Sequence, residues 1–202
     1  RDLQLIPIDP VLAKREPNGL NMIRALRTAG PRRLWTGFKA GAYRERLEGA
    51  LLGRLAGCTL GAAVEFWPID KMRALAAENG DNFPPTDYWS YVTEPKAKRY
   101  GISHRQDFSR HGIKGVPADD DTIYTLLGLL IAEEHGPDFT TCDAGRTWVK
   151  RLPYGCTAEG VALANLKQGL PASLVGCRNN PYCEWIGADI RADPWGYMAP
   201  GW

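Results

Sequence analysis

Three adjacent carboxylates, Asp119, Asp120 and Asp121, stand at the head of an apolar run. A single Asp there would be explained as a helix N-cap, because its side chain accepts a hydrogen bond from the first free N–H groups and its charge suits the positive helix end. Three carboxylates repel one another, and in a partly buried place a cation or a proton must neutralise the excess charge. Carboxylate oxygens are the ligands that Mg²⁺, Mn²⁺ and Ca²⁺ prefer. The run alone leaves two interpretations open, a solvated cap and a site for a hard divalent cation.

The apolar run after these carboxylates predicts a helix. Ile123, Leu127 and Ile131 recur at helical spacing, and Gly136 with Pro137 ends the pattern. Further helical stretches are expected over 68–80, 144–152 and 158–168, and strand signals are nearly absent. The sequence therefore predicts an all-α fold, a compact bundle of several helices with long functional loops.

A helix beginning near Tyr43 carries a glycine stripe, with glycines at strict four-residue spacing at positions 49, 53, 57 and 61. Each Gly inside a helix costs roughly 1 kcal/mol relative to Ala, so a stripe needs a compensating reason. The usual reason is the close approach of another backbone. We expect this helix to be central and tightly packed.

Two other segments complete the organisation. Residues 1–42 are expected to form an extended arm, interrupted by prolines, and one short helix, whereas residues 43–202 form the helical domain. The long segment from Asp81 to Ala118 has no clean period, and loops of this length are often functional. Within it, Lys96, Lys98 and Arg99 are expected to form a solvated basic face.

Composition limits the partners. With 25 basic and 23 acidic residues the formal net charge is +2. This charge gives no reason to expect a broad basic surface, so binding to nucleic acid is not predicted. Five cysteines without a CxxC pair favour reduced thiols in the cytoplasm over a disulfide framework. A zinc site from Cys156, Cys177 and Cys183 is an alternative that lacks a nearby histidine. Neither a signal peptide nor an apolar span of membrane length is seen, so no membrane partner is expected.

Four blocks resemble the ADP-ribosylglycohydrolase family in order and approximate spacing. They are "LEGALLGRLAGCTLGAAVE" (47–65), "ADDDTIYTLLGL" (118–129), "LPYGCTAEGVALANLKQG" (152–169) and "WIGADIRADPWGY" (185–197). The four together carry the resemblance, because a small-residue helix or an acidic triplet alone is a weak signal. The resemblance implies a compact all-α hydrolase with two Mg²⁺ or Mn²⁺ ions that removes ADP-ribose from a modified side chain.

The resemblance also implies metal ligands. The family's Thr-Asp-Asp-Thr motif falls on Asp119, Asp120, Asp121 and Thr122, with Asp120 and Asp121 as the firmest ligands. Asp119 departs from the motif, and a carboxylate in place of a hydroxyl adds a charge that would tighten one ion, alter its geometry or favour a different hard cation. Cys58 also departs, since the family usually has Asp there.

Catalytic and substrate-binding residues follow from the same resemblance. Glu65 and Asp120 are the expected catalytic residues, and Glu65 would protonate the leaving group or steady the developing cation; the alternative is a surface carboxylate at a helix end. Arg191 would pair with a diphosphate oxygen, or else internally with Asp189 or Asp193. The residues expected on the substrate side are Gly155, Thr157, Gly187, Ala188, Asp189 and Arg191.

The predicted function is metal-dependent hydrolysis of the bond between ADP-ribose and a protein side chain or a related ADP-ribosyl conjugate. The family's second acidic motif has no counterpart before Trp202, so the resemblance implies an incomplete site, a C-terminal remainder as a further partner and little hydrolysis by this chain alone. The alternatives are an inactive ADP-ribose-binding or structural relative, a hydrolase of another ribosyl N-glycoside, and a helical interaction module whose acidic cap binds nothing.

Overall fold

Helices dominate the structure, a computed structural model that describes residues 7–31 and 33–201. In these ranges the helices are α1 Pro10–Arg15, α2 Leu20–Leu26, α3 Ala40–Ala62, α4 Ile69–Asn79, α5 Asp120–His135, α6 Thr141–Arg151, α7 Thr157–Lys167 and α8 Asp193–Met198. Two 3₁₀ helices cover Arg105–Phe108 and Ile186–Arg191. The strands are two residues each, β1 Lys98–Arg99 antiparallel to β2 Ser103–His104. The prediction of an all-α fold is confirmed.

The described residues up to Gly37, together with Gly201, form one unit that contains α1 and α2. Asp9 caps α1, accepting a hydrogen bond from the Val11 N–H at 2.8 Å. Pro10 is the first residue of α1, where its missing N–H costs nothing and its fixed φ suits a helix. The expectation of an extended arm is therefore wrong over Pro10–Arg15, while the short helix expected after the arm is present as α2.

Phe38–Pro200 form the second unit, which contains α3 to α8. The expectation of a packed glycine stripe is wrong here, because the four stripe glycines of α3 are exposed. An added Cβ at any of them would have no described atom within 4 Å. A close helix approach lies elsewhere: a Cβ on Gly128 of α5 would lie 2.5 Å from Pro194 Cγ of α8. Glycine spacing alone did not identify which helix face is packed.

Two groups of buried side chains form the core of this second unit. One joins the end of α3 to α4 and to the segment after it, and comprises Ala62, Ala63, Val64, Leu75, Ala76, Trp89, Val92 and Phe108. The other joins α5, α6 and α7, and comprises Tyr124, Leu127, Ile131, Leu152 and Leu163. Burying a large apolar side chain contributes about 1.5–3 kcal/mol, so these groups fix the ends of α3 and α5 from which the functional residues project.

The long segment between α4 and α5 is ordered by polar contacts. Asp81 accepts hydrogen bonds from the Ser90 N–H at 2.8 Å and from Arg110 Nη2 at 3.1 Å. Trp89 beside it is 2% exposed. Lys96 and Lys98 are exposed as expected, but Arg99 is only 7% exposed, so its assignment to a solvated basic face is wrong. The segment brings this arginine from β1 into the interior.

Candidate metal centre and active site

The acidic run forms the start of α5. Asp119 is the N-cap residue, and its Oδ1 accepts a hydrogen bond from the Asp121 N–H at 3.3 Å. Asp119 is 2% exposed, whereas Asp120 and Asp121 are half-buried. One oxygen of each carboxylate lies within 4.8 Å of the others. Asp119 is therefore both the helix cap and a member of the acidic cluster, and this cluster is at least half-buried.

Crowding changes the protonation of two of these carboxylates. Burial, followed by the adjacent Asp119 carboxylate, raises the pKa of Asp120 to about 7. The same two causes raise the pKa of Asp121 to about 6, although the positive charge of Arg54 opposes them. The negative charge of Glu65 also raises both pKa values, so Glu65 lies close enough to act on both carboxylates.

Thr122 lies one residue further along α5. It is 6% exposed, and its hydroxyl donates a hydrogen bond to the Asp119 carbonyl at 3.0 Å. The hydroxyl oxygen keeps acceptor capacity in this geometry. Its role as a metal ligand stays a prediction.

Arg99 connects the acidic cluster to Glu65. Its Nε donates to Asp119 Oδ2 at 2.9 Å, and its Nη1 donates to Glu65 Oε2 at 2.6 Å and to the Ala62 carbonyl at 2.8 Å. The Tyr100 hydroxyl donates to Glu65 as well, 3.1 Å from Oε2. Burial lowers the pKa of Arg99, but Asp119 and Glu65 outweigh it and raise this pKa above its ordinary value. Glu65 is therefore joined to the acidic cluster through Arg99 and is not an isolated surface carboxylate.

Arg54 of α3 joins the start of α5 to the second 3₁₀ helix. Its Nη2 donates to the carbonyls of Asp121 and Ile190, both at 2.8 Å, and its Nε donates to Thr125 Oγ1 at 2.6 Å. Its Nη1 pairs with Asp193 at the start of α8. Because one guanidinium satisfies backbone groups of two elements, the acidic cluster and the end of the Ile186–Arg191 helix are held at a fixed spacing.

The loop before α7 approaches the same carboxylates. Burial and then the charge of Asp120 raise the pKa of the Cys156 thiol to about 11. A Cβ on Gly155 would lie 2.8 Å from the Gly160 nitrogen, so this glycine permits the tight turn into α7. Thr157 is exposed and has a φ of 36°, a left-handed value that is uncommon outside glycine. The substrate-binding roles of Gly155 and Thr157 stay predictions.

Arg191, at the end of the second 3₁₀ helix, has a partner that the sequence did not suggest. Its Nη1 lies 3.3 Å from Glu159 Oε1, an ion-pair contact without hydrogen-bond geometry, and its guanidinium lies 5.3 Å from the centre of the Trp148 ring. The alternative of an internal pair with Asp189 or Asp193 is not seen, since the ion pair of Arg191 is with Glu159 and Asp193 pairs with Arg54.

The other residues expected on the substrate side lie in the same 3₁₀ helix. Gly187 packs on Glu159, because an added Cβ would lie 2.2 Å from Oε1. Ala188 and Asp189 are exposed. Their substrate-binding roles also stay predictions.

Three residues of this region were not predicted from the sequence: Arg54, Arg99 and Glu159. Arg54 had a usable signal, because it is the one charged side chain between Leu51 and Ala62. Arg99 follows two exposed lysines, so its neighbours gave no indication of burial. Glu159 is only 3% exposed, although the first turn of a helix is an ordinary place for a solvated Glu.

The donor set fits a hard divalent cation. In the described part of the chain, Asp119–Asp121 is the only group of three or more His, Cys, Asp or Glu side chains placed to hold a metal ion. This leaves the zinc alternative from three cysteines without support. Asp120 and Asp121 have no ion-pair partner within the described ranges, and their raised pKa values mean that their charged forms are disfavoured where a cation would stabilise them. Oxygen-only donors suit Mg²⁺ or Mn²⁺.

Residues 39–201 match the model of the ADP-ribosylglycohydrolase family. The chain belongs to the ADP-ribosylglycohydrolase family, and the resemblance seen in the four sequence blocks is confirmed. Membership supports a hydrolase-like enzyme and indicates glycohydrolase activity on ADP-ribosyl conjugates. No curated protein and no solved structure matched the chain. No helix within residues 7–31 and 33–201 is long and apolar enough to cross a membrane.

Proposed function

We propose that the protein is a metal-dependent hydrolase that cleaves the glycosidic bond between ADP-ribose and a modified protein side chain or related ADP-ribosyl conjugate. The observation that carries the proposal is that Arg99 connects Glu65 to the start of α5. Its nitrogens lie 2.6 Å from Glu65 and 2.9 Å from Asp119. Family membership and the oxygen-only donor set support it.

Asp120 and Asp121 would hold the cation, with Asp119 and Thr122 beside them. When bound, such a cation supplies Lewis acidity toward ribose hydroxyls and water. Glycoside cleavage passes through an oxocarbenium-like state, so a nearby negative charge is useful at the anomeric carbon. Glu65 suits that task, because its carboxylate accepts hydrogen bonds from Arg99 and Tyr100 and keeps a side-chain exposure of 35%.

The ADP-ribose would lie along the loop before α7 and the second 3₁₀ helix. Gly155 and Thr157 belong to the first of these segments, and Gly187, Ala188, Asp189 and Arg191 to the second. Arg191 would have to share its charge between Glu159 and a diphosphate oxygen, which its five donors permit. The proposed partner is accordingly the ADP-ribosylated protein or conjugate itself.

The proposal is tested with a panel of ADP-ribosylated peptides, ADP-ribosyl-arginine and free nucleosides, with Mn²⁺, with Mg²⁺ or with chelator. Both the 202-residue chain and any longer natural protein that contains it are assayed for release of ADP-ribose. We expect metal-dependent release that falls at least 100-fold in Asp120→Asn, Asp121→Asn and Glu65→Gln. Asp138→Asn, on an exposed residue after α5, is the matched control and should leave the rate unchanged.

Other outcomes separate the alternatives. Binding of ADP-ribose without turnover in any form of the protein would identify an inactive relative. Turnover of free nucleosides in preference to the ADP-ribosyl substrates would assign a different N-glycoside. Neither binding nor turnover, with no heat on titration with Mn²⁺, would leave only a helical interaction module and would refute the proposal.

A further inference from the structure

Arg99 is a buried cation shared by two carboxylates from distant parts of the chain. Its nitrogens lie 2.9 Å from Asp119 Oδ2 and 2.6 Å from Glu65 Oε2, and the same Nη1 also donates to the carbonyl of Ala62 at 2.8 Å. The side chains of Arg99 and Asp119 are 6% and 2% exposed. A buried guanidinium without a counter-charge would be strongly destabilising, so Arg99 requires at least one of these carboxylates.

Both oxygens of Asp119 accept hydrogen bonds, and one of them contacts Arg99. Oδ2 accepts from Arg99, and Oδ1 accepts from the Asp121 N–H at 3.3 Å. Asp120 and Asp121 differ, because no ion pair reaches either of them in the described ranges. A cation approaching the start of α5 would therefore meet two carboxylates without an ion pair and a third that is already paired with Arg99.

Glu65 accepts a hydrogen bond from the same guanidinium and a second one from a neighbouring residue. It follows the last turn of α3, and the Tyr100 hydroxyl, from the residue after Arg99, lies 3.1 Å from its Oε2. Phe66 and Tyr100, the residues directly after Glu65 and Arg99, have φ values of 63° and 48°. Such left-handed values are uncommon outside glycine, and they persist only where surrounding contacts fix the backbone. Glu65 thus accepts hydrogen bonds from two consecutive residues, Arg99 and Tyr100.

We propose that Asp119 is the buried counter-charge of Arg99 and not a cation ligand, and that Arg99 is a positioning residue that fixes the Glu65 carboxylate beside the cation site. Asp119 acts on the reaction only through Arg99, and Arg99 only through Glu65. This inference rests on the proposed function for the role of Glu65, whereas the part concerning Asp119 concerns cation binding alone.

The role of Asp119 is tested by calorimetric titration with Mn²⁺, which needs no turnover. Removing one charge of the pair changes the local electrostatics whether or not Asp119 is a ligand, so the decisive variant is the charge-balanced Asp119→Asn/Arg99→Gln. We expect its Kd for Mn²⁺ to stay within about threefold of the parent. Arg99→Gln alone should bind Mn²⁺ more tightly, and Asp120→Asn should bind at least 10-fold more weakly. A loss of 10-fold or more in the charge-balanced variant would make Asp119 a ligand and overturn the inference.

The positioning role is tested with Arg99→Lys, which keeps the charge but presents one ammonium group instead of a planar fork. Its thermal unfolding and its Kd for Mn²⁺ verify folding and cation binding before turnover is measured. We expect kcat for release of ADP-ribose to fall about 10- to 100-fold with KM within threefold of the parent. In the Glu65→Gln background the same substitution should have no further effect on kcat, because Arg99 acts through Glu65.

The two arms separate this inference from the proposed function. An equal loss of kcat in the Glu65→Gln background would show that Arg99 has a merely structural role, and would overturn the inference. Absence of turnover in the parent and in any longer form would refute the proposed function. In that case the calorimetric comparison would still decide whether Asp119 binds the cation.

Discussion

At the scale of single residues, Asp120 and Asp121 hold protons that the unfolded chain would release. Their pKa values, about 7 and about 6, exceed the value of about 4 for an Asp in an unfolded chain. Between pH 4 and pH 7 the folded state therefore binds more protons than the unfolded state. By linkage, the stability of the metal-free protein falls as pH rises through this window and levels off above it.

The measurement is thermal unfolding in chelator from pH 5 to pH 8. Other groups titrate as well, so the parent is compared with Asp120→Asn/Asp121→Asn, which lacks both carboxylates. We expect the variant to gain stability relative to the parent as pH rises, with the difference largest above pH 7. Parallel curves for the two proteins would contradict raised pKa values at this site.

Gly187 is a second residue for which we predict an effect on stability, because a side chain there would contact Glu159. A methyl group at this position would lie 2.2 Å from Glu159 Oε1, and Glu159 is 3% exposed and paired with Arg191, so it has little room to move. We expect Gly187→Ala to destabilise the protein by about 1–3 kcal/mol in chemical denaturation, through overpacking. Gly196→Ala in α8 is the control, since nothing lies within 4 Å of its added Cβ. That control should be neutral or stabilising by up to about 1 kcal/mol, and equal losses in both variants would contradict the packing described here.

At the scale of elements, a glycine of α5, and not the stripe on α3, permits a close helix approach. The stripe on α3 faces open space, while the single Gly128 of α5 allows Pro194 of α8 to approach. Since Gly in an exposed helix costs up to about 1 kcal/mol relative to Ala, Gly53→Ala should raise the melting temperature. Gly128→Ala should lower it, by about 1–3 kcal/mol of stability, because the new Cβ would lie 2.5 Å from Pro194 Cγ.

Circular dichroism melts of these two variants test the packing directly. The substitution is the same Gly→Ala change inside an α-helix, so differences in intrinsic helix propensity cancel. Opposite signs are expected. A destabilising Gly53→Ala would show that the stripe is covered by another chain or segment in solution.

Arg54 explains why α3 is placed as it is despite its exposed stripe. From that helix it reaches the carbonyls of Asp121 and Ile190 and the carboxylate of Asp193. A charged side chain inside a small-residue helix therefore connects three other elements. Its position, more than the glycines, sets the distance between the acidic cluster and the segment expected to contact the substrate.

At the scale of the whole molecule, cation binding should be coupled to folding. The described residues offer one candidate cluster, so we expect one Mn²⁺ per chain, with water completing a coordination shell of about six oxygens. A ligand that binds only the folded state adds RT ln(1 + [L]/Kd), or about 2.7 kcal/mol at 100 times Kd. Thermal shift at rising Mn²⁺, with calorimetric stoichiometry, measures both quantities.

The matched control for this coupling is the same titration of Asp120→Asn/Asp121→Asn. We expect its melting temperature to be independent of Mn²⁺ up to concentrations that saturate the parent. A shift of equal size in this variant would place the cation elsewhere, and two equivalents bound by the parent would mean that further ligands contribute.

Local sequence was sufficient for most of the helices and for the family. The apolar period after Asp121 predicted α5, Gly80 ends α4 in the left-handed conformation expected of a helix-terminal glycine, and the four blocks identified the fold. These features depend on hydrogen bonds and spacing within a few residues, which the sequence shows directly.

The tertiary structure alone decided which charges are buried and which helix face is covered. Asp119 and Glu65 lie 20 and 34 residues from Arg99 along the chain, yet both contact its guanidinium. The exposure of the glycine stripe and the pairing of Arg191 with Glu159 also became visible only in the tertiary structure. The physical reason is that the free energy of a charge or a bare helix face depends on which distant segments pack against it, and no local period encodes that choice.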